Sequence, residues 1–233
     1  MGKSKDGKPK GIRVLWETLL GRFALVGFIL GFLWLVLLVN WAIYGADSVG
    51  LCRYGIQPRK LDGLIGILFA PFLHVGVEHL AANALPFLVF GCLMMLRGIR
   101  EFLFTVVAAI LVGGAAVWLV GSSGVHIGVS GVVFGLMGCL ILVSVLERRV
   151  LNLFIIILVV VFDGLILLVL ISDWHTATSV ESHVFGFLSG VGVALWLTRQ
   201  VRRERREARE RRQMRKAQAA PSPEPESQTD PSG

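Results

Sequence analysis

Six long apolar stretches separated by short polar breaks dominate the chain, at 23–44, 79–96, 102–120, 127–146, 150–171 and 180–198. An α-helix crosses the hydrocarbon of a bilayer with roughly 20 apolar residues, so each stretch predicts a membrane-spanning helix. The runs are long and uniformly apolar, which argues against strands and predicts an all-α membrane protein. A shorter apolar piece, Leu61 to Leu73, is interrupted by Gly63, Gly66 and Pro71. It falls in the class of about 10 to 14 residues that suggests re-entrant or interfacial structure, and it is expected as a partly embedded part of the first outer loop.

Composition agrees with this pattern. With 233 residues, 55% of them hydrophobic, and a mean hydropathy of +0.72, the chain is too apolar for an ordinary soluble domain. Orientation follows from Lys and Arg, which accumulate on the cytoplasmic side. Twenty of the 23 precede the first stretch or follow the second, fourth or sixth, leaving only Arg53, Arg59 and Lys60 on the other side. A multi-pass cell-membrane protein with both termini cytoplasmic is therefore expected, with loops 45–78, 121–126 and 172–179 facing outward. The amino-terminal apolar run is too long for a signal-peptide core, and no small-residue cleavage site follows it.

The chain divides into a basic cytoplasmic segment, 1–22, a six-helix membrane domain, 23–198, a basic juxtamembrane helix, 199–216, and a tail, 217–233. Pro221, Pro223, Pro225 and Pro231 among Ser and Glu predict disorder in that tail. Residues 199–216 hold ten basic side chains against Glu204, Glu207 and Glu210. Such a run suggests attraction to anionic lipid headgroups, at about 1 kcal/mol per basic residue near the surface. A solvated helix obeying the positive-inside rule accounts for it equally well, and nucleic acid is not an expected partner. Cys52, Cys92 and Cys139 make neither a disulfide framework nor a metal motif, and Cys92 and Cys139 read as helix-packing residues.

Polar side chains at membrane depth are rare and point to function. His79 and Asn83, four residues apart, share one face of the second span near its outer end. As polar glue between helices they would contribute about 0.6 kcal/mol each. Glu78 precedes His79 without completing a His-Glu-x-x-His zinc motif. Ser130 is expected a turn inside the fourth span, and His183 near the outer start of the sixth. Gly131 and Gly135, and likewise Gly186 and Gly190, have the small-x-x-x-small spacing of closely packed membrane helices. Packing explains the glycines, but not a serine beside one such face and a histidine beside the other. Close approach would bring the Ser130 hydroxyl within about 2.6 to 3.2 Å of an imidazole nitrogen, the reach of a general base. His126 and His175 fall in short outward loops, where water-exposed surface histidines are expected.

The run from Gly128 through Ser130, Phe134 and Gly135 to Gly138 resembles the fourth-helix signature of the rhomboid family of intramembrane serine proteases. His74, His79 and Asn83 match that family's His and His-x-x-x-Asn elements, and His183 with Gly186 and Gly190 is similar to its final His-x-x-Gly-x-x-x-Gly. The resemblance covers roughly residues 23–198 and implies a six-helix rhomboid-like bundle. It implies a catalytic dyad of Ser130 with His183 as base and then acid. An oxyanion site would be built from the Ser130 N–H with His79 and Asn83, with Gly128 beside them. Phe134 matches a position where an aromatic ring lies against the catalytic histidine, and His74 a structural one. Two departures stand out: no Trp-Arg pair occurs between residues 45 and 78, and Ser182 replaces a frequent Ala.

The expected activity is that of a serine endopeptidase cutting transmembrane segments of other membrane proteins near the outer face, with no metal or organic cofactor implied. One alternative is a catalytically silent, client-binding rhomboid-like protein. The other is a transporter with a polar relay through His79, Asn83, Asp163 and His183. The relay would continue to the cytoplasmic ends, yet 84–96 and 136–146 are almost wholly apolar. Asp163, near the middle of the fifth span, is expected to pair with a neighbouring helix or water rather than complete a triad.

Overall fold

A computed structural model describes residues 10–45, 49–147 and 179–218, with the isolated positions Phe154, Ile157 and Val161. Its main helices are α1, Lys10–Tyr44; α2, Gly66–Phe69; α3, Val77–Arg97; α4, Ile99–Ala108; α5, Gly114–Val120; α6, Ser130–Glu147; and α7, Val180–Gln218. Among the described residues there is no strand, only a single antiparallel bridge between Ile56 and His126. Five helical runs are long and apolar enough to cross a membrane: Thr18–Tyr44, Val77–Arg97, Ile99–Val120, Ser130–Glu147 and Val180–Met214. They coincide with the first four and the sixth predicted spans. The fifth, 150–171, and with it Asp163, lies outside the described residues, as do His175 and the tail beyond residue 218.

The bundle is built around α6. Its apolar window is 56% buried, more than that of any other described span, and α3 and α4 pack against it. The core joins Leu80, Phe87 and Phe90 of α3, Phe102 of α4, and Leu136 and Leu140 of α6. Helix α1 leans on α3, with Val26 against Gly91. Between α4 and α5 the third span passes through a five-residue π-helical segment, Ala109–Gly113. Single-turn π segments inside α-helices occur frequently at functional sites. Gly113 abuts the Phe185–Gly186 backbone of α7.

The described segment 49–76 between α1 and α3, the first loop, is not a free excursion. It folds into short helical turns at Gly50–Tyr54, Leu61–Gly63, α2 and Ala70–Phe72. Leu61, Leu64, Ile65, Leu68 and Phe69 leave their apolar side chains exposed, as an interfacial segment requires. Its polar backbone is satisfied by the end of α5. Arg59 Nη1 donates to the Gly121 carbonyl (2.8 Å), the Arg59 N–H donates to Trp118 O (2.9 Å), and Trp118 Nε1 donates to Lys60 O (2.8 Å). An arginine at a helix carboxyl end both satisfies orphan carbonyls and complements the dipole. The first loop thus draws its tryptophan partner from α5 rather than from within itself.

Beyond Leu197 the described residues, which begin at Thr198, form a separate unit. Within it the described part of α7 is a basic helix whose Arg206 and Glu210 form an i,i+4 ion pair (2.8 Å).

Candidate active site

Three helices begin beside the candidate residues. Helix α6 opens at Ser130, so Ser130 is its first residue rather than a turn inside it. The Val129 carbonyl accepts from the N–H groups of Val132 and Val133 (2.9 and 3.1 Å), which makes Val129 the cap. The helix cannot start earlier, because Gly128 has φ +103°, a left-handed region that favours glycine. A first-turn N–H such as that of Ser130 has no partner inside its own helix.

The approach to Ser130 is held by the first loop. The Gly128 N–H donates to Ala70 O (2.8 Å), and the Val129 N–H donates to His74 Nε2 (3.3 Å). His74 is buried, and burial together with the neighbouring His79 lowers its pKa from 6.5 to about 3. It is therefore neutral and able to accept at Nε2. The His79 ring meets His74 edge-on at 5.1 Å and crowds Gly128, where a Cβ would lie 3.0 Å from His79 Cε1 and Nε2. Asn83 is buried, and its Nδ2 donates to the His79 carbonyl one turn earlier (2.8 Å).

On the other side, α7 meets α6 backbone to backbone. A Cβ on Gly186 would collide with the Gly131 carbonyl, and one on Gly190 with the Gly135 carbonyl. The two small-x-x-x-small faces expected from spacing are thus the faces in contact. One turn below Ser130, Phe134 lies flat against the His183 ring, with centroids 4.3 Å apart and planes 7° apart. Among the described residues no hydrogen bond joins Ser130 to His183.

A cavity of about 30 Å³, room for one water, adjoins this region and is lined in part by Ala109, Gly113, His126, Gly128, Gly131 and Ser182.

One expectation is overturned. His126 is not a water-exposed loop histidine but is buried to 6% exposure. Its Nδ1 lies 2.6 Å from Ser179 Oγ and its Nε2 3.0 Å from Ser122 O, while its backbone bridges to Ile56. The loop is short, yet it is sandwiched between the first loop and the start of α7. Ser179 and Ser182 belong to the same cluster, with hydroxyls 2.6 Å apart. The replacement of Ala by Ser182 was the one sequence signal of it.

Closely packed apolar helices, with His79, Ser130 and His183 at the amino-terminal ends of three of them and the first loop packed over that end, define a multi-pass α-helical membrane protein with a polar cluster at one end of its bundle. Residues 62–200 match the family model of the Rhomboid domain, and the chain belongs to the rhomboid family. Members are generally intramembrane serine proteases, and some are inactive. The chain is similar to an uncharacterized protein of Mycobacterium tuberculosis, 34% identical over 157 residues, or 64% of this chain and 65% of that protein. It is also similar to an uncharacterized protein of Mycobacterium leprae, 35% identical over 156 residues, or 64% of this chain and 62% of that protein. The chain thus spans somewhat less than two thirds of the length of the curated relatives it matches.

Proposed function

We propose that this chain is an intramembrane serine endopeptidase that cuts transmembrane segments of other membrane proteins close to the outer membrane face. Both termini lie in the cytoplasm on this reading, as the charge asymmetry supports. The observation that carries it is the Phe134–His183 stack, which holds an imidazole on the α6 face one turn from Ser130. Ser130 Oγ attacks the scissile carbonyl while His183 takes its proton, forming the Oγ–C bond and a tetrahedral oxyanion. The Ser130 N–H, His79 and Asn83, around the opening at Gly128, supply donors for that charge. Collapse breaks the C–N bond as His183 protonates the leaving amine, and water then releases the acyl group by the same steps. A helical substrate must unwind to expose its carbonyl, so segments with Gly, Pro or polar residues near the cut are the expected substrates.

A second reading, a silent client-binding member, draws on the lack of a Ser130–His183 hydrogen bond. Catalytic hydrogen bonds commonly lengthen in substrate-free enzymes, which leaves the first reading the stronger. Labelling with a serine-directed phosphonate decides between them without a known substrate. An adduct on Ser130, lost in Ser130→Ala and His183→Asn, is expected. A well-folded wild type that stays unlabelled, and that fails to cut a model single-span substrate, would leave the silent reading standing.

A further inference from the structure

His126 joins three elements that are far apart in sequence. Through its backbone it exchanges both hydrogen bonds with Ile56 of the first loop (2.9 Å each). Two residues later the same strand of chain delivers Gly128, and then Ser130. Through its ring it reaches the start of α7. A carbonyl only accepts, so Nε2 must donate to Ser122 O (3.0 Å), and in a neutral ring Nδ1 is then the acceptor. Ser179 Oγ therefore donates to Nδ1 (2.6 Å). The same oxygen accepts the Ser182 hydroxyl proton (2.6 Å) and the Ser182 N–H (3.1 Å). One proton given and two received fill the capacity of a hydroxyl. Ser179 immediately precedes α7, and its bond to the third N–H of the helix is an amino-terminal cap. A further tie runs from the Ser122 N–H to Glu181 Oε1 (3.0 Å).

We propose that His126 is a positioning residue: through Ser179 and Ser182 it fixes the first turn of α7 against the segment that carries Ser130, and so sets where His183 stands. The inference rests on the Ser130–His183 reading for its catalytic consequence. The mechanical reason lies in the neighbouring contact. Ser182 O faces Gly131, with 3.2 Å to the place a Cβ would occupy, and Ser182 is followed directly by His183. Any slackening of the Ser179 cap shifts the turn that carries the imidazole, and the Phe134 stack lies one residue downstream of the tether. A general base is sensitive to such a shift, because misplacement by about 1 Å costs on the order of a hundredfold in rate.

The test uses the full chain in detergent, with two readouts applied to His126→Phe, Ser179→Ala and Ser179→Thr. Amide hydrogen exchange in residues 179–186 is expected to rise about tenfold in His126→Phe and Ser179→Ala, as loss of a buried hydrogen bond implies, with α3 and α6 unchanged. Phosphonate labelling of Ser130 should slow about tenfold to a hundredfold in the same two variants. Ser179→Thr keeps the hydroxyl and should stay within about twofold of wild type in both readouts. Unchanged exchange at the start of α7, wild-type labelling despite faster exchange, or protection lost uniformly from α3, α6 and α7 would each overturn the proposal. If the wild type itself does not label, the protease reading fails, and the exchange pattern alone decides whether His126 tethers α7.

Discussion

The rings of Phe134 and His183 lie parallel, 7° apart in plane with centroids 4.3 Å apart, so one face of the imidazole is covered by α6, while among the described residues neither ring nitrogen has a hydrogen-bond partner. Stacking of this kind fixes ring orientation without consuming either nitrogen. Aromatic pairs contribute roughly 0.5–1.5 kcal/mol beyond burial, and about 1.4 kcal/mol is tenfold in rate. Phe134→Ala should therefore slow Ser130 labelling by up to about tenfold, while Phe134→Tyr keeps most of it. Phe134 is only half-buried, so the melting temperature should change less than for a core aromatic. Equal labelling rates in wild type and Phe134→Ala would remove the stack from any positioning role.

The glycines of α7 are not equivalent, and their substitution separates packing from propensity. Gly186 and Gly190 face the α6 backbone itself, whereas a Cβ on Gly192 meets nothing within 4 Å. Gly186→Ala and Gly190→Ala should each destabilise by about 1–3 kcal/mol, because a carbonyl cannot move aside as a side chain can. Gly192→Ala should be neutral or stabilise by up to about 1 kcal/mol, the helix preference of Ala over Gly. Thermal melts in detergent check the order. A destabilised Gly192→Ala beside an unaffected Gly186→Ala would reverse the assigned contact face.

Much of this architecture is legible in the sequence because membrane burial writes itself in long apolar runs. The glycine repeats on α6 and α7 are likewise local signals of helix contact, and His183 and Phe134 lie on the faces those repeats define. What stays hidden is set by long-range contact. His126 sits in a short loop and reads locally as solvent-exposed, but its partner Ser179 is 53 residues away. Arg59 has φ +61° and turns its guanidinium onto the end of α5, which no local preference of arginine predicts. The opening of α6 at Ser130 depends on the backbone of Gly128, so a hydrophobicity pattern alone starts that helix too early.

His74 carries a pH signature. Its pKa falls from 6.5 to about 3 on folding, with burial the larger cause and His79 the smaller. A depressed pKa means that the unfolded chain binds the proton first. The stabilisation is complete above pH 6.5 and is lost as pH falls toward the folded value. The upper limit is about 1.4 kcal/mol per pH unit for one proton. His74→Gln, whose side-chain carbonyl can still accept from Val129 N–H, should flatten the decline of the melting temperature between neutral and acidic pH. An identical slope in both proteins would mean that His74 does not titrate with unfolding.

Orientation governs which side of the membrane the site opens to. The α5–α6 connection at Ser122–Val125 is exposed, and it lies at the same ends of the helices as His79, Ser130 and His183. The charge asymmetry predicts that this end faces outward, since Lys and Arg are retained in the cytoplasm. Ser123→Cys in intact cells should therefore react with a membrane-impermeant maleimide, while a cysteine at Arg100 reacts only after the membrane is opened. Cys52 is buried, and that burial raises its thiol pKa, so its background reactivity should be low. Labelling of the Arg100 position alone in intact cells would invert the bundle. Ser130 would then sit at the cytoplasmic face, and the substrates would be cut from that side.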